Sequence, residues 1–149
     1  MPELQFLCEG PGWSKFLTPE RVPHNVRFER IDFQKKGDLM RNASLLLNLS
    51  KEEGGPFPVL EALACGTPVL STDVGFVSDV LPKKAGQIVE QETPIEDLKQ
   101  AILNTLGFKS LCYGVDLLFG RYTWLEHGAK LFRIGDRGLE EASGYSNQG

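Results

Sequence analysis

Residues 51–71 read KEEGGPFPVLEALACGTPVLS, and this passage decides the fold. Between Glu53 and Asp73 the only charged side chain is Glu61. Pro58 suits the first position of a helix and Gly66 lies just past a last turn, which predicts a helix over 58–65. The run before it, SLLLNLS (44–50), has the continuous apolar character of a strand covered on both faces, and TPVLST (67–72) reads as the next strand. Strand, glycine-rich loop, helix and strand in this order make the repeating unit of a parallel sheet.

The same alternation extends outward. LQFLC (4–8) reads as a strand ending in the turn Glu9-Gly10-Pro11-Gly12, and NVRFERI (25–31) as a second strand. A short helix over 35–42 follows, and GQIVE (86–90) supplies a fifth strand. Thr93 as cap, Pro94 at the first position and Glu96 in a capping box predict a helix from 94. Ile95, Leu98, Ile102 and Leu103 recur along it at helical spacing, and Gly107 stops it. Residues 109–133 read as mainly helical, and the tail SGYSNQG (143–149) has little to bury. The expected fold is α/β, a Rossmann-like parallel sheet with helices on both faces.

Bulk composition narrows the function. The chain has 149 residues, 41% hydrophobic and 24% charged, which suits one soluble domain with its own core. A net charge of -4 leaves no surplus of Lys and Arg to neutralise a nucleic-acid backbone or anionic lipid. The apolar runs are far shorter than a membrane span, and no signal peptide opens the chain. Cys8, Cys65 and Cys112 are widely spaced and odd in number, so neither a disulfide framework nor a zinc site suggests itself. A reduced, cytoplasmic compartment is the expectation. His24 and His127 stand alone, with no carboxylate or cysteine at metal-ligand spacing, and no metal is expected.

The chemistry gathers at the mouth of the 58–65 helix. Phe57, at the predicted cap, has no side-chain oxygen to satisfy the first amides. Gly54, Gly55, Val59 and Leu60 then present N–H groups where the helix dipole favours an anion, and paired glycines let a ligand approach the backbone. The loop lies at the carboxyl end of a strand, where open parallel sheets bind ligands, and so does the 9–12 turn. Gly10 and Gly12 read equally well as ligand contacts or as a tight turn. Glu61 sits about 5 Å further along the helix among apolar neighbours. An ionised carboxylate there needs hydrogen-bond donors, and a ribose diol offers two. Glu53, nearer the mouth, is placed to take hydroxyls from a second ring. An anion between two hydroxyl-bearing rings describes a nucleotide sugar.

EEGGPFPVLEALACGTPVLSTDVG resembles the Glu-x7-Glu signature of the family 4 retaining glycosyltransferases, in the nucleotide-sugar-binding, C-terminal half of the GT-B fold. FLCEGPGW looks like that family's strand and Gly-x-Gly turn, and VPHNVRFERID like its NV-x-F strand. LMRNASLLLNLS is similar to the stretch ending in Pro-Ser, with Ser50 at the serine. KKAGQIVE and RYTW match the later strand and helix start, so the resemblance covers residues 4 to about 135. It implies that Glu53 is the catalytic-site acid, holding donor-sugar hydroxyls near the reacting carbon. Glu61 would bind the ribose, Gly54 and Gly55 would meet the diphosphate or sugar through their amides, and Ser50, Gly10 and Gly12 would join the donor site. Arg30 and Ile31 would lie beside the base.

The implied reaction is transfer of a hexosyl group from a UDP- or GDP-sugar to a hydroxyl of a glycan, lipid or small-molecule acceptor, with retention. It implies no cofactor, a place in polysaccharide biosynthesis, and a cytoplasmic site, membrane-peripheral at most. Where the family most often has Gly-Phe-Gly after the first glutamate, this chain has Gly54-Gly55-Pro56-Phe57-Pro58, and two prolines carry no amide hydrogen. On this alignment residues 1–135 form the donor-binding domain without its first strand, its Arg/Lys diphosphate clamp or the N-terminal acceptor domain, and 136–149 form a mostly disordered tail. The chain alone is then an incomplete enzyme that needs that domain or a partner subunit. Lys35-Lys36 and Lys83-Lys84 read as solvated charges, or as partial stand-ins for the clamp. Asp73 reads as a cap for the next helix or as a residue facing the crevice, Trp13 as packing on the sheet or covering a ligand, and Trp124 as an anchor of the C-terminal helices. The rival readings are a non-catalytic nucleotide-sugar-binding module and a fragment of a GT-B-type sugar epimerase.

Overall fold

A computed structural model describes residues 3–10 and 19–108, and the expectations for Gly12, Trp13, Cys112, Trp124, His127 and the segments 109–133 and 136–149 lie outside them. The chain divides into two compact units, one running to Leu39 and one from Met40 onward.

In the first unit β1 (Phe6–Glu9) and β2 (Val26–Glu29) pair in parallel, with Phe6 opposite Val26 and Glu9 opposite Glu29. A 3-10 turn, Pro19–Arg21, precedes β2. The buried Asn25 fixes the start of the ladder: its Nδ2 donates to Leu4 O at 2.8 Å, and its carbonyl accepts from Phe6 N at 2.8 Å. Burial pushes the Cys8 thiol on β1 up from its ordinary value. Helix α1 (Phe33–Asn42) begins two residues earlier than its apolar spacing suggests. The reason is Asp32, whose Oδ1 accepts from Gln34 N at 3.1 Å as an N-cap should. Lys35 and Lys36 lie within that helix.

In the second unit β3 (Leu46–Asn48), β4 (Val69–Thr72) and β5 (Gly86–Val89) form a parallel sheet with β4 in the middle. All four residues of β4 are buried, as a central strand covered on both faces requires. Alternate side chains face opposite ways along a strand, so Val69 and Ser71 share one face and Leu70 takes the other. Helix α2 (Phe57–Ala64) packs on β3 and β4, and its Val59, Ala62 and Leu63 join Val69, Val74, Val77, Val80 and Met40 in one apolar cluster. Leu70 is fully buried yet lies outside that cluster, while α4 (Ile95–Leu106), with buried Ala101 and Ile102, packs on β4 and β5. Helices thus cover both faces of this sheet. Gly86 is required at the head of β5, because a Cβ there would lie 2.0 Å from Val69 O on the neighbouring strand.

The helix ends correct the sequence reading in detail. α2 starts at Phe57, with Pro56 rather than Phe57 as its cap, and no side chain caps it. Its other end behaves as the glycine signal predicts: Gly66 has φ 77°, Thr67 N donates to Ala62 O and Gly66 N to Leu63 O, which is the Schellman pattern. α4 starts at Ile95 with Pro94 as cap, and the expected capping box does not form. Thr93 Oγ1 donates backward to Glu90 O at 2.7 Å, and Glu96 pairs with Lys99. Pro94 has φ -55° and ψ 147°, the non-helical conformation of a cap residue, so Thr93 stands one position too early to cap the first amides. The helix that follows β4, α3 (Val77–Val80), is a single turn. Phe76 is its cap, so Asp73 does not cap it and stays exposed.

Candidate functional site

The site is built where β3 and β4 end. Leu46, Leu47 and Asn48 stand opposite Val69, Leu70 and Ser71, so Asn48 and Ser71 point to the same face, the one that α2 covers. Asn48 Nδ2 donates to Ser71 Oγ at 3.1 Å, and the buried Ser71 hydroxyl donates to Thr72 O at 2.7 Å. Ser50 Oγ lies 3.3 Å from Asn48 Oδ1 and donates to Glu53 Oε1 at 2.8 Å. A polar chain therefore runs from the interior of β4, across β3, to an exposed carboxylate on the loop.

The main chain of that loop is held separately. Thr72 Oγ1 donates to Ser50 O at 2.6 Å, and Gln91 Nε2, from the loop after β5, donates to Lys51 O at 2.7 Å. The Lys51–Glu92 ion pair at 3.2 Å is well exposed on both sides and adds little. Glu53 thus stands on a lip that follows β3 and is tied to β4 and to the loop after β5. Beyond it, a Cβ at Gly54 would meet nothing within 4 Å, so this backbone faces open space. At Gly55 a Cβ would come within 2.8 Å of the Phe76 ring, and at Gly75, with φ 57°, within 3.2 Å of Glu53 O. Gly55 and Gly75 let the two loops close on one another. Phe57 stands edge-to-face on Phe76, centroids 6.3 Å apart, and is 67% exposed.

Glu61 lies on the fifth residue of α2, about one turn from its start. It is half-buried, and its Oε2 is shut away from solvent. Its carbonyl accepts from Cys65 N at 3.0 Å. Cys65 itself packs against the apolar cluster, a small core residue as expected. The expected free amide at Val59 is taken: Val59 N donates to Pro56 O at 2.9 Å, because the first turn of α2 tightens.

The second unit brings Ser50, Glu53, Gly54, Gly55 and Glu61 onto one loop and the first turns of one helix. Gly10, Arg30 and Ile31 belong to the first unit. Gly10 follows β1 with φ 130°, a conformation that demands glycine. Arg30 is exposed and Ile31 half-buried, between β2 and α1. His24 is exposed, as are Lys83 and Lys84. Sequence reasoning missed Asn48, Ser71 and Thr72. The polar letters inside SLLLNLS and TPVLST were the available signal, since a polar residue in a doubly covered strand must find a partner.

A parallel α/β frame with a glycine-bearing polar lip at the carboxyl ends of its strands belongs to the ligand-binding class of such sheets. Residues 2–107 match the family described as Glycosyl transferases group 1, and the chain belongs to that family. An uncharacterised glycosyltransferase of Methanocaldococcus jannaschii is 30% identical over 97 residues, covering 64% of this chain and 27% of that protein. A Homo sapiens protein, one of the subunits of phosphatidylinositol N-acetylglucosaminyltransferase, is 25% identical, covering 95% of this chain and 31% of that protein. The GPI3 subunit of the yeast Saccharomyces cerevisiae is 24% identical over 89% of this chain. The chain spans less than a third of each of these relatives. A sucrose-phosphate synthase from Thermosynechococcus elongatus superposes with a TM-score of 0.68 at 22% identity, covering 93% of this chain and 39% of that one. That likeness shows the fold, the GT-B type. No helix among the described residues is long and apolar enough to cross a membrane.

Proposed function

We propose that the chain is the donor-binding part of a retaining glycosyltransferase, moving a hexosyl group from a nucleotide sugar to an acceptor hydroxyl. The observation that carries this reading is Glu53: an exposed carboxylate, oriented by the 2.8 Å bond from Ser50, beside the open backbone of Gly54 and at the mouth of α2. A carboxylate has lone pairs for several donors, so Glu53 keeps the Ser50 bond and still accepts two hydroxyls of a sugar ring. Glu61, one turn deeper and half-buried, takes the ribose hydroxyls. The diphosphate lies between them against the amides of Gly54 and Gly55, where the dipole of α2 favours the charge that develops on it as the glycosidic bond breaks.

Family membership supports the sugar-transfer chemistry, and the names of the human and yeast relatives make an N-acetylglucosaminyl donor the first to try. Those relatives are subunits, which supports a partner subunit or domain that presents the acceptor. Reaction in a cleft between donor and acceptor parts would place catalysis at the edge of this chain rather than inside it.

The test is a thermal-shift panel of UDP-N-acetylglucosamine, UDP-glucose and GDP-mannose, with UDP and GDP as references. Ligand that binds only the folded chain raises its Tm, by about 2.7 kcal/mol of stability at a hundred times Kd. At least one nucleotide sugar is expected to raise Tm more than its own diphosphate does. Equal shifts would favour a plain nucleotide-binding module, and no shift would end the reading.

A further inference from the structure

We propose that Asn48, oriented by Ser71, is a positioning residue that sets Glu53 for the sugar part of the donor, an inference that rests on the donor-binding reading above. Ser71 is fully buried and its hydroxyl has one hydrogen, which goes to Thr72 O at 2.7 Å. Its oxygen is left as an acceptor, and Asn48 Nδ2 donates to it at 3.1 Å. With its nitrogen committed to Ser71, Asn48 turns its oxygen toward Ser50, 3.3 Å from the Ser50 hydroxyl.

Ser50 also has one hydrogen, and two acceptors face it: Glu53 Oε1 at 2.8 Å and Asn48 Oδ1 at 3.3 Å. The shorter bond to the charged oxygen wins in this arrangement. Ring hydroxyls donate to the remaining lone pairs of Glu53 while the Ser50 bond stays. Asn48 Oδ1, the weaker of the two acceptors at 3.3 Å, keeps the Ser50 hydroxyl within reach of Glu53 and so fixes the carboxylate for those hydroxyls. That effect does not touch the nucleotide end of the donor, so the signature is a change in sugar discrimination alone.

The experiment is calorimetry with UDP-N-acetylglucosamine, UDP-glucose and GDP-mannose against UDP and GDP, read as the ratio of diphosphate Kd to nucleotide-sugar Kd. Asn48→Ala is expected to lower that ratio about three- to tenfold, the worth of one side-chain hydrogen bond, with diphosphate affinity unchanged. Ser50→Ala should lower it similarly, and the double variant no further. Asn48→Asp keeps the size of the side chain and sets a charged acceptor beside Ser50 that draws its hydrogen from Glu53. It should lower the ratio even where the alanine variant fails to fold. If Asn48→Asp leaves the ratio intact while Glu53→Gln lowers it, the proposal is overturned and the donor reading stands. Equal weakening of sugar and diphosphate also overturns it, as a merely structural role. A wild-type chain with no preference for any nucleotide sugar overturns the donor reading and this inference together.

Discussion

Glu53 and Glu61 announce themselves because nothing else between residues 53 and 73 carries charge, and because glycines and prolines bracket the helix between them. Their environments differ in ways the letters do not show. One carboxylate is exposed and held by a hydroxyl, the other half-buried. Asn48 and Ser71 were illegible as a pair, since partnership across strands depends on register, and register is set by the whole sheet. Phe76 is similar: only the fold reveals that its ring occupies the room a side chain at 55 would need. This gives a prediction at the residue scale. Gly55→Ala should cost about 1 kcal/mol in urea unfolding, because its methyl displaces the Phe76 ring. In a Phe76→Leu background the same change should cost nothing measurable. An equal cost in both backgrounds would show that the strain lies in the backbone of residue 55 instead.

At the scale of elements, the strands and helices of the described residues, α3 and the 3-10 turn apart, were legible from apolar runs and glycine stops, to within about two residues at their ends. The cap assignments are what fail, and they fail at helix starts. There the choice among neighbouring oxygens is decided by backbone direction, as Thr93 shows by bonding to Glu90 O. Asp32 was overlooked for the opposite reason: it precedes an exposed phenylalanine, Phe33, so no apolar periodicity marks the start of α1. Asp32→Ala should therefore destabilise by about 1 kcal/mol, measured by urea titration followed by circular dichroism. Gly86→Ala is the severe case. Its methyl would press on the Val69 carbonyl of the central strand, and a loss of about 3 kcal/mol is expected. A near-wild-type midpoint for Gly86→Ala would show that β5 slides away from β4 without penalty, and the sheet described above would need revision.

For the molecule as a whole, the chain carries a parallel α/β frame and belongs to the group 1 glycosyltransferase family, while spanning less than a third of each of the relatives it matches. The parallel α/β class and the family follow from the motif order, which local sequence records well. What the sequence reading could not supply is the polar chain that stiffens the lip, because it joins residues of β3, β4 and the following loop through contacts made only on folding. On the proposed function, transfer of sugar should be undetectable for this chain alone and appear when an acceptor-binding domain or subunit completes the cleft. A radiolabelled-donor assay with and without that part checks it, and turnover by the chain alone would show that the acceptor site lies within these residues.

The most direct measurement of the central claim is isothermal calorimetry of a nucleotide sugar and its bare diphosphate against the wild type, Glu53→Gln and Glu61→Gln. The account predicts that Glu61→Gln weakens both ligands by about tenfold, because both carry the ribose. Glu53→Gln should weaken the sugar-bearing ligand by a similar factor and leave the diphosphate alone. Equal losses for both ligands in both variants, or no loss in either, would contradict it.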